Sequence, residues 1–298
     1  MKYTHPVFRP PFEESSLLLQ AAVGCSHNKC NFCSMYRGVK FQAESLSQIE
    51  SDLQEVRAKN HIWYKRIFLL GGDTFVLSAE RLKAIALKCS EYLPNLETIS
   101  MYASIMNIRN KSDNELRELA AVKINDLNIG FETALDDMLE YFNKGFTLDE
   151  ARTQLLRLKE AGINFSLNII TGAAGSQRYI ENAHANINFL NEIQPPFIFV
   201  GTMHIEKNTP LYDDVLAGKF TECTVGENIS EEIELLRGLE MQNTYFYGRH
   251  VSNTIPVWGN LPDDKEKMLA YIDEELKFIP EEYLHSRPIK GSEGAVLQ

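Results

Sequence analysis

"SSLLLQAAVGCSHNKCNFC", residues 15–33, decides how the chain is read. An apolar run of strand length ends at Gly24. Cys25, Cys30 and Cys33 then follow in a C-x4-C-x2-C spacing. The chain has only two other cysteines, Cys89 and Cys223. Three thiols on one short loop do not resemble a secreted disulfide framework; in a reducing compartment they read as a metal or cluster site. The number is odd for either common use. A disulfide needs two thiols and a tetrahedral zinc site four ligands.

Outward from that stretch, short apolar runs alternate with segments of helical period, as in βα units. Strands are expected at 15–24, 66–72, 96–104, 126–132, 163–172 and 197–203. Helices are expected at 45–59, 79–93, 112–120, 147–162 and 178–193, with Ser112 and Glu115 forming a capping box. Six strands separated by helices predict a parallel sheet with right-handed crossovers. Six units fall short of the eight of a closed barrel, so an open, partial barrel is expected. Beyond residue 204 the pattern changes: 206–220 reads as loop, 227–240 and 263–279 as helices, and the tail from about 280 as loose. The division expected is a core over 1–215 and a helical extension over 216–298 that caps it without folding independently.

The chain has 298 residues, 44% of them hydrophobic and 24% charged, with a formal net charge of −11. That acidity argues against a nucleic-acid partner. No run approaches the roughly 20 apolar residues of a membrane span, and the proline-interrupted start has no signal-peptide pattern. A cytoplasmic protein is expected.

Three thiolates on a loop at the carboxyl end of a strand can hold three irons of a [4Fe–4S] cluster, leaving the fourth iron open. A cluster that only relays electrons normally takes four protein thiolates. Cys89 shares a helical face with Leu82 and Ile85 and reads as core, and Cys223 lies far along the chain among polar residues. The competing reading is zinc held by the three cysteines and His27.

With these residues in view, the sequence resembles the radical S-adenosylmethionine (radical SAM) superfamily, in particular its Elp3-like and HemN-like branches. The resemblance covers roughly residues 18–215. It implies a partial (β/α)6 TIM-like barrel with one [4Fe–4S] cluster on Cys25, Cys30 and Cys33. It further implies S-adenosylmethionine chelated by the fourth iron and cleaved reductively to a 5′-deoxyadenosyl radical that abstracts hydrogen from substrate. The superfamily's commonest spacing is C-x3-C-x2-C, so this chain carries one extra residue between its first two cysteines. Phe32 stands where the family packs an aromatic against adenine.

"LLGGDTF" resembles the family's GGE segment, with Gly71, Gly72 and Asp73 toward the methionine ammonium and Asp in place of the usual Glu. "IGFET" resembles the GxES segment and places Glu132 near the cofactor, with Lys144 as its charge partner; a structural salt bridge is the competing account. "NIITGAAG" suggests Asn168 and Gly172 for ribose and adenine, and "FVGTM" offers backbone groups around Val200 and Gly201. Ser104, on the third strand, points to the same pocket.

Radical chemistry needs shielding from water. The aperiodic segment 247–265, with Arg249, His250, Ser252, Asn253 and Trp258, reads as a substrate loop, joined by His204 and Glu206. The competing account is an ordered surface loop. The resemblance implies a low-potential electron donor such as flavodoxin or ferredoxin, and an oxidoreductase or lyase acting on a modest substrate. Two other readings stay open: a non-catalytic metal-binding or electron-transfer module, and a HemN-like protein that handles a tetrapyrrole.

Overall fold

A computed structural model describes residues 3, 4 and 6–287. Its strands are β1 (Leu17–Gln20), β2 (Ala22–Val23), β3 (Gln42–Ala43), β4 (Arg66–Leu70), β5 (Thr98–Ala103), β6 (Ile124–Glu132), β7 (Asn164–Thr171), β8 (Phe197–Thr202), β9 (Thr244–Gly248) and β10 (Val257–Leu261). The helices are α1 (Leu46–Ala58), α2 (Ala79–Tyr92), α3 (Ile105–Arg109), α4 (Asp113–Ala121), α5 (Asp136–Tyr141), α6 (Leu148–Ala161), α7 (Tyr179–Ile193), α8 (Pro210–Leu216), α9 (Val225–Gly238), α10 (Lys265–Leu276) and α11 (Glu281–Leu284).

One sheet of eight strands runs β1-β4-β5-β6-β7-β8-β9-β10. Every neighbouring pair is parallel except β9 and β10. The parallel α/β architecture matches the expectation. It differs at the end: the region expected to be a helical extension supplies β9 and β10. Residues 206–220 likewise contain α8, with Thr209 accepting from the Tyr212 amide and Pro210 at the first helical position. Thr followed by Pro is a helix-start signal, because proline's missing N–H would be unpaired there in any case. The expected loose tail contains α11 before residue 288, beyond which it lies outside the described residues.

Alternation along the strands sorts the sheet's two faces. Leu19, Leu69, Met101, Ile129, Leu167, Val200 and Phe246 bury against the helices in one continuous core. Leu53 of α1, Ile85 and Cys89 of α2, Leu155 of α6, Phe189 of α7 and Leu235 of α9 join them there. Cys89 is therefore a core residue, as its helical face predicted. The opposite face carries Phe68, Ser100, Tyr102, Asn128, Ser166, Asn168, Phe199 and Tyr247, a mixed polar and aromatic set. A face that only packed helices would be apolar.

The amino-terminal turn shows that this second face is curled inward. Glu13 accepts from Arg66 Nε at 2.8 Å and from Ser100 Oγ at 2.8 Å, and Arg66 also pairs with Asp126. One residue earlier, Phe12 packs on Phe197, Phe199 and Tyr247, with ring centres 4.5–5.9 Å away. A three-residue turn thus reaches β4, β5, β8 and β9, meeting β4 and β8 at their first residues, Arg66 and Phe197. Burial alone would raise the Glu13 pKa, but the forked Arg66 contact with Ser16 and Ser100 lowers it. This end of the interior is closed. Chemistry is left to the carboxyl ends, where ligands gather in such folds. Among the described residues no helix is long and apolar enough to cross a membrane.

Candidate functional site

The cysteine loop joins β2 to β3, whose two-residue ladder (Ala22 with Ala43, Val23 with Gln42) closes its base. Its own polar groups hold it in shape. Asn28, at φ +46, donates through Nδ2 to the carbonyls of Tyr36 and Val39. Arg37 donates to the carbonyls of Cys30 and Cys33, at 2.9 and 3.1 Å. Asn31 Nδ2 donates to the Tyr141 carbonyl at 2.8 Å, which ties the loop to α5. The Leu211 amide of α8 donates to the Asn31 carbonyl. Cys25, Cys30 and Cys33 are free thiols, each half-buried.

Among the described residues, no three Cys, His, Asp or Glu side chains converge on a point where one metal ion would sit. A Cys3His zinc site asks for donors about 2.0–2.3 Å from a common centre; His27 Nε2 lies 2.6 Å from the Asn143 carbonyl, and the His27 side chain also bonds Cys30, which keeps it beside the cysteines. A cubane cluster takes one thiolate per corner iron, a demand that three thiols spread along one loop can meet. Burial works against a thiolate at Cys30, yet Lys144 and His27 lower its pKa. Burial raises the Cys33 thiol to about 11.

The end of β4 sits directly against this loop. The Gly72 amide donates to the Gly24 carbonyl at 2.8 Å. A Cβ on Gly72 would stand 2.6 Å from the Tyr36 ring and 2.8 Å from Cys25 Cβ. Gly71 adopts φ +139, and a Cβ there would meet Thr74 Oγ1 at 2.5 Å. Both glycines are thus required by packing of the chain on itself, whatever they do for a ligand.

Asp73 is 3% exposed. Its Oδ2 accepts from Ser26 Oγ at 2.9 Å, Ser104 Oγ at 3.0 Å and Asn107 Nδ2. Its Oδ1 is buried with no partner. Burial raises the Asp73 pKa against those three donors. Lys111, the cation whose charge opposes that rise, has its Nζ on the Phe75 carbonyl at 2.6 Å, under a burial that lowers its pKa to about 8. An orphaned carboxylate oxygen costs roughly 1–3 kcal/mol or more, and an ammonium group would satisfy it. Ser104, expected at the cofactor, is committed to Asp73 and to the amide of Asn107, which it caps.

Glu132 ends β6 at φ +77, where non-glycine residues are uncommon and strain tends to mark function. The register slips between Gly130 and Glu132. A Cβ on Gly130 would lie 2.6 Å from Glu132 Oε1, so the glycine makes room for the carboxylate. Lys144 Nζ donates to that oxygen at 2.9 Å, both side chains being about nine-tenths buried. Burial disfavours the ammonium, but Glu132 and Cys30 raise its pKa overall. The same Nζ stands 5.8 Å from the Phe32 ring centre. Phe32 itself packs edge-on to Phe142, 5.0 Å between centres.

On the next strands, Asn168 Oδ1 is buried without a partner. Ser166 Oγ donates to Asn128 Oδ1 at 2.8 Å, while Asn128 Nδ2 lacks an acceptor. Gly172, at φ +79, donates its amide to Glu231 Oε2 at 2.7 Å. The Val200 carbonyl accepts from Asn253 Nδ2 at 3.0 Å. Gly201 leaves space that Ser252 Oγ and His250 Nδ1 approach to 3.5 and 3.6 Å of a built Cβ.

The expected substrate residues divide. Asn253 spends both amide hydrogens on the carbonyls of Val200 and Gly248, and accepts from Thr202 Oγ1; it is a fastener. Arg249 stacks on exposed Trp258 at 4.2 Å. His250 packs edge-on to Phe199, its Nδ1 2.6 Å from Ser252 Oγ, and burial lowers its pKa with help from His204. His204 lies 3.3 Å from Glu206. The charge of His204 is thus felt at His250.

The sequence reading missed Glu231 and Glu232, adjacent buried acids on α9 that form no ion pair among the described residues. Glu231 also accepts from Asn182 Nδ2 at 2.6 Å, and Asn182 from Thr133 Oγ1, so one polar chain ties the ends of β6 and β7. Burial raises each acid to about 8. Helical period placed these residues on α9 but gave no sign that a polar stripe faced inward.

A curled, mostly parallel α/β sheet with a braced three-thiol loop at its carboxyl ends defines the class. The model of the radical SAM superfamily matches residues 19–181. The chain belongs to that superfamily. It is similar to the heme chaperone HemW of Bacillus subtilis (strain 168), 23% identical over 248 residues, 79% of this chain and 65% of that protein. The chain thus spans just under two-thirds of that relative's length. Among solved structures it is similar to OxsB, a cobalamin-dependent S-adenosylmethionine radical enzyme. The TM-score there is 0.57 at 15% identity, over 88% of this chain and 46% of that one. The archaeal Methanocaldococcus infernus Elp3 gives a TM-score of 0.51 at 13% identity, over 87% and 63%. At such identities the solved structures show a shared fold. The relatives fall where the resemblance pointed, a HemW by sequence and an Elp3 by fold.

Proposed function

We propose that Cys25, Cys30 and Cys33 hold one [4Fe–4S] cluster with an open iron for S-adenosylmethionine, and that the protein is a radical SAM enzyme acting on a modest-sized substrate at the sheet's mouth. When bound, cluster and cofactor supply a 5′-deoxyadenosyl radical able to take a hydrogen atom from substrate. The chain's own residues bind, orient and shield. Asp73 offers Oδ1 to the methionine ammonium as a charge-assisted hydrogen bond, its other oxygen locked by Ser26, Ser104 and Asn107. Lys144 neutralises Glu132 and favours a thiolate at Cys30. Asn168 Oδ1 would accept from a ribose hydroxyl, Phe32 would pack on the adenine, and the 249–256 hairpin would keep water out; the Gly172 amide and the Val200 carbonyl are already taken by Glu231 and Asn253.

The observation that carries this reading is the buried, unpartnered Asp73 Oδ1 beside a braced three-thiol loop. The test is anaerobic reconstitution, followed by iron counting and electron paramagnetic resonance of the dithionite-reduced protein with and without S-adenosylmethionine. A [4Fe–4S] signal that changes on adding the cofactor, with 5′-deoxyadenosine released, is the expected result. Stoichiometric zinc, or a cluster blind to the cofactor, would return the protein to the metal-module reading.

A second reading, tetrapyrrole handling, is favoured by the likeness to a heme chaperone, with half-buried His250 as the imidazole it would use. Hemin titration of the wild type and of His250→Ala separates the two. Tight binding lost in the variant supports tetrapyrrole handling, and no binding removes it.

A further inference from the structure

One cation inside the curl of the sheet is unmatched. Segment 8–13 runs from the thiol loop to the foot of the sheet. Phe8 packs edge-on to Tyr36, 5.1 Å between ring centres, and Glu13 reaches Arg66 at the start of β4. Arg9 lies on this segment, one residue beyond Phe8. Glu13, the nearest acid in sequence, is not available to it. Glu13 Oε1 accepts from Arg66 and Ser100, and Oε2 from Arg66 and Ser16. Among the described residues Arg9 forms no ion pair. Its guanidinium makes two long bonds through Nη1, 3.4 Å to each of the carbonyls of Pro10 and Pro11, and they leave Nε and Nη2 free. Arg9 is half-buried, and its charge is felt at Tyr102 on the inner face.

Neutral donors stand beside Tyr102. Asn128 is its partner in register across β5 and β6. Asn128 is 1% exposed, and its Nδ2 is buried without an acceptor. An uncompensated cation and an orphaned buried amide are both costly. A carboxylate answers both: it carries one negative charge, accepts through two oxygens and matches the guanidinium fork. A phosphate would bring further negative charge, and the neighbouring Lys144 is already taken by Glu132. The surrounding wall is aromatic. Phe68 lies edge-on to Tyr102 at 5.2 Å, and Phe199 stacks on Tyr247 at 5.9 Å.

We propose that Arg9 binds the carboxylate of the substrate, with Asn128 Nδ2 as a second donor, so that the site takes a small monocarboxylic acid with an apolar body. The proposal deepens the radical SAM reading and rests on it for what happens to the bound acid. The carboxylate is held inside the curl, above the floor that Glu13 closes, and the apolar end lies among the rings.

The test is calorimetric titration of the reconstituted protein with phenylacetate and cinnamate, each beside its neutral amide. Wild type should bind the acids about tenfold or more tightly than the amides, as a charge-assisted fork exceeds a neutral bond. Arg9→Gln should lose that preference. Arg9→Lys, which keeps the charge without the fork, should keep part of it. Iron content and S-adenosylmethionine affinity should match wild type in both variants. Should Arg9→Gln lower the Tm, the acid–amide comparison on wild type and on Arg9→Lys decides instead. Acids and amides bound alike, no binding of either acid at millimolar concentration, or a preference unchanged in Arg9→Gln overturns the proposal and leaves the cluster reading standing. A fall in S-adenosylmethionine affinity in Arg9→Gln also overturns it, because the guanidinium would then serve the cofactor's own carboxylate. An Arg9-dependent acid preference in a protein that takes up no iron supports the carboxylate site and overturns the radical SAM enzyme reading.

Discussion

Ser26 Oγ donates to Asp73 Oδ2 at 2.9 Å, joining the residue after the first cysteine to the end of β4 by one hydrogen bond. The bond fixes which carboxylate oxygen is spoken for and leaves Oδ1 for a ligand. Asp73→Asn should keep the neighbouring donors in place while removing the charge. S-adenosylmethionine affinity should fall by about ten- to a hundredfold, the value of a charged hydrogen bond, with iron content unchanged. Equilibrium dialysis on reconstituted protein measures it, and an unaltered affinity would remove Asp73 from the cofactor.

Gly72→Ala tests packing rather than ligand contact. The new methyl meets the Tyr36 ring and Cys25 Cβ at 2.6–2.8 Å. Overpacking of this kind costs about 1–3 kcal/mol. Thermal unfolding should show a lower Tm, accompanied by poorer iron uptake because Cys25 is displaced. A variant as stable and as iron-loaded as wild type would contradict the geometry.

Lys144→Met removes the cation from a buried pair and strands Glu132. Breaking such a pair costs about 3–5 kcal/mol, whereas removing both charges can be nearly neutral. The double variant Lys144→Met/Glu132→Gln should therefore recover most of the stability in urea titration without recovering activity. A double variant no more stable than the single one would show that the charge is compensated elsewhere.

Glu231 and Glu232 give the molecule a pH signature. Their folded pKa values, near 8, lie above the unfolded value of about 4.3. Below the unfolded pKa both states hold the protons and the contribution is fully present. Between there and pH 8 only the folded state holds them, so stability falls as pH rises. Glu232→Gln, which places a neutral group beside Gly248, should flatten that fall: little change in Tm at pH 5 and a Tm several degrees above wild type at pH 8.5. A parallel shift at both pH values would mean that Glu232 does not titrate in this window.

Much of this was legible in the sequence, for physical reasons that differ by element. The six parallel strands β1, β4, β5, β6, β7 and β8 read correctly because they are largely buried, giving compact apolar runs between helices of clear period; the two-residue β3, exposed at Gln42 and Ala43, gave no such run. The capping box at Ser112 placed α4, and helical period placed α6, whose start the structure shows to be a second capping box at Thr147. β9 and β10 were missed although "TYFYG" is built of strand-favouring residues, because each is only five residues long and the segment joining them has no clear period. The cysteine loop and Asp73 were legible as motifs. Their bracing by Arg37, Ser26 and Asn107 was not, since each bond depends on how distant segments meet. Asn253 was misjudged for the same reason: polar residues in a loop read as binding groups until their partners are seen.

The β9–β10 hairpin separates fastening from display. Asn253 and Ser252 pin it to the end of β8, while Arg249, Val251 and Thr254 stay exposed. An antiparallel return needs no crossover helix, so its tip can change length or composition without disturbing the sheet. Substitutions at the exposed positions could redirect what enters the mouth while the cofactor wall is inherited intact. In evolutionary terms the hairpin is an interchangeable part, bolted to a chassis that does not have to be rebuilt.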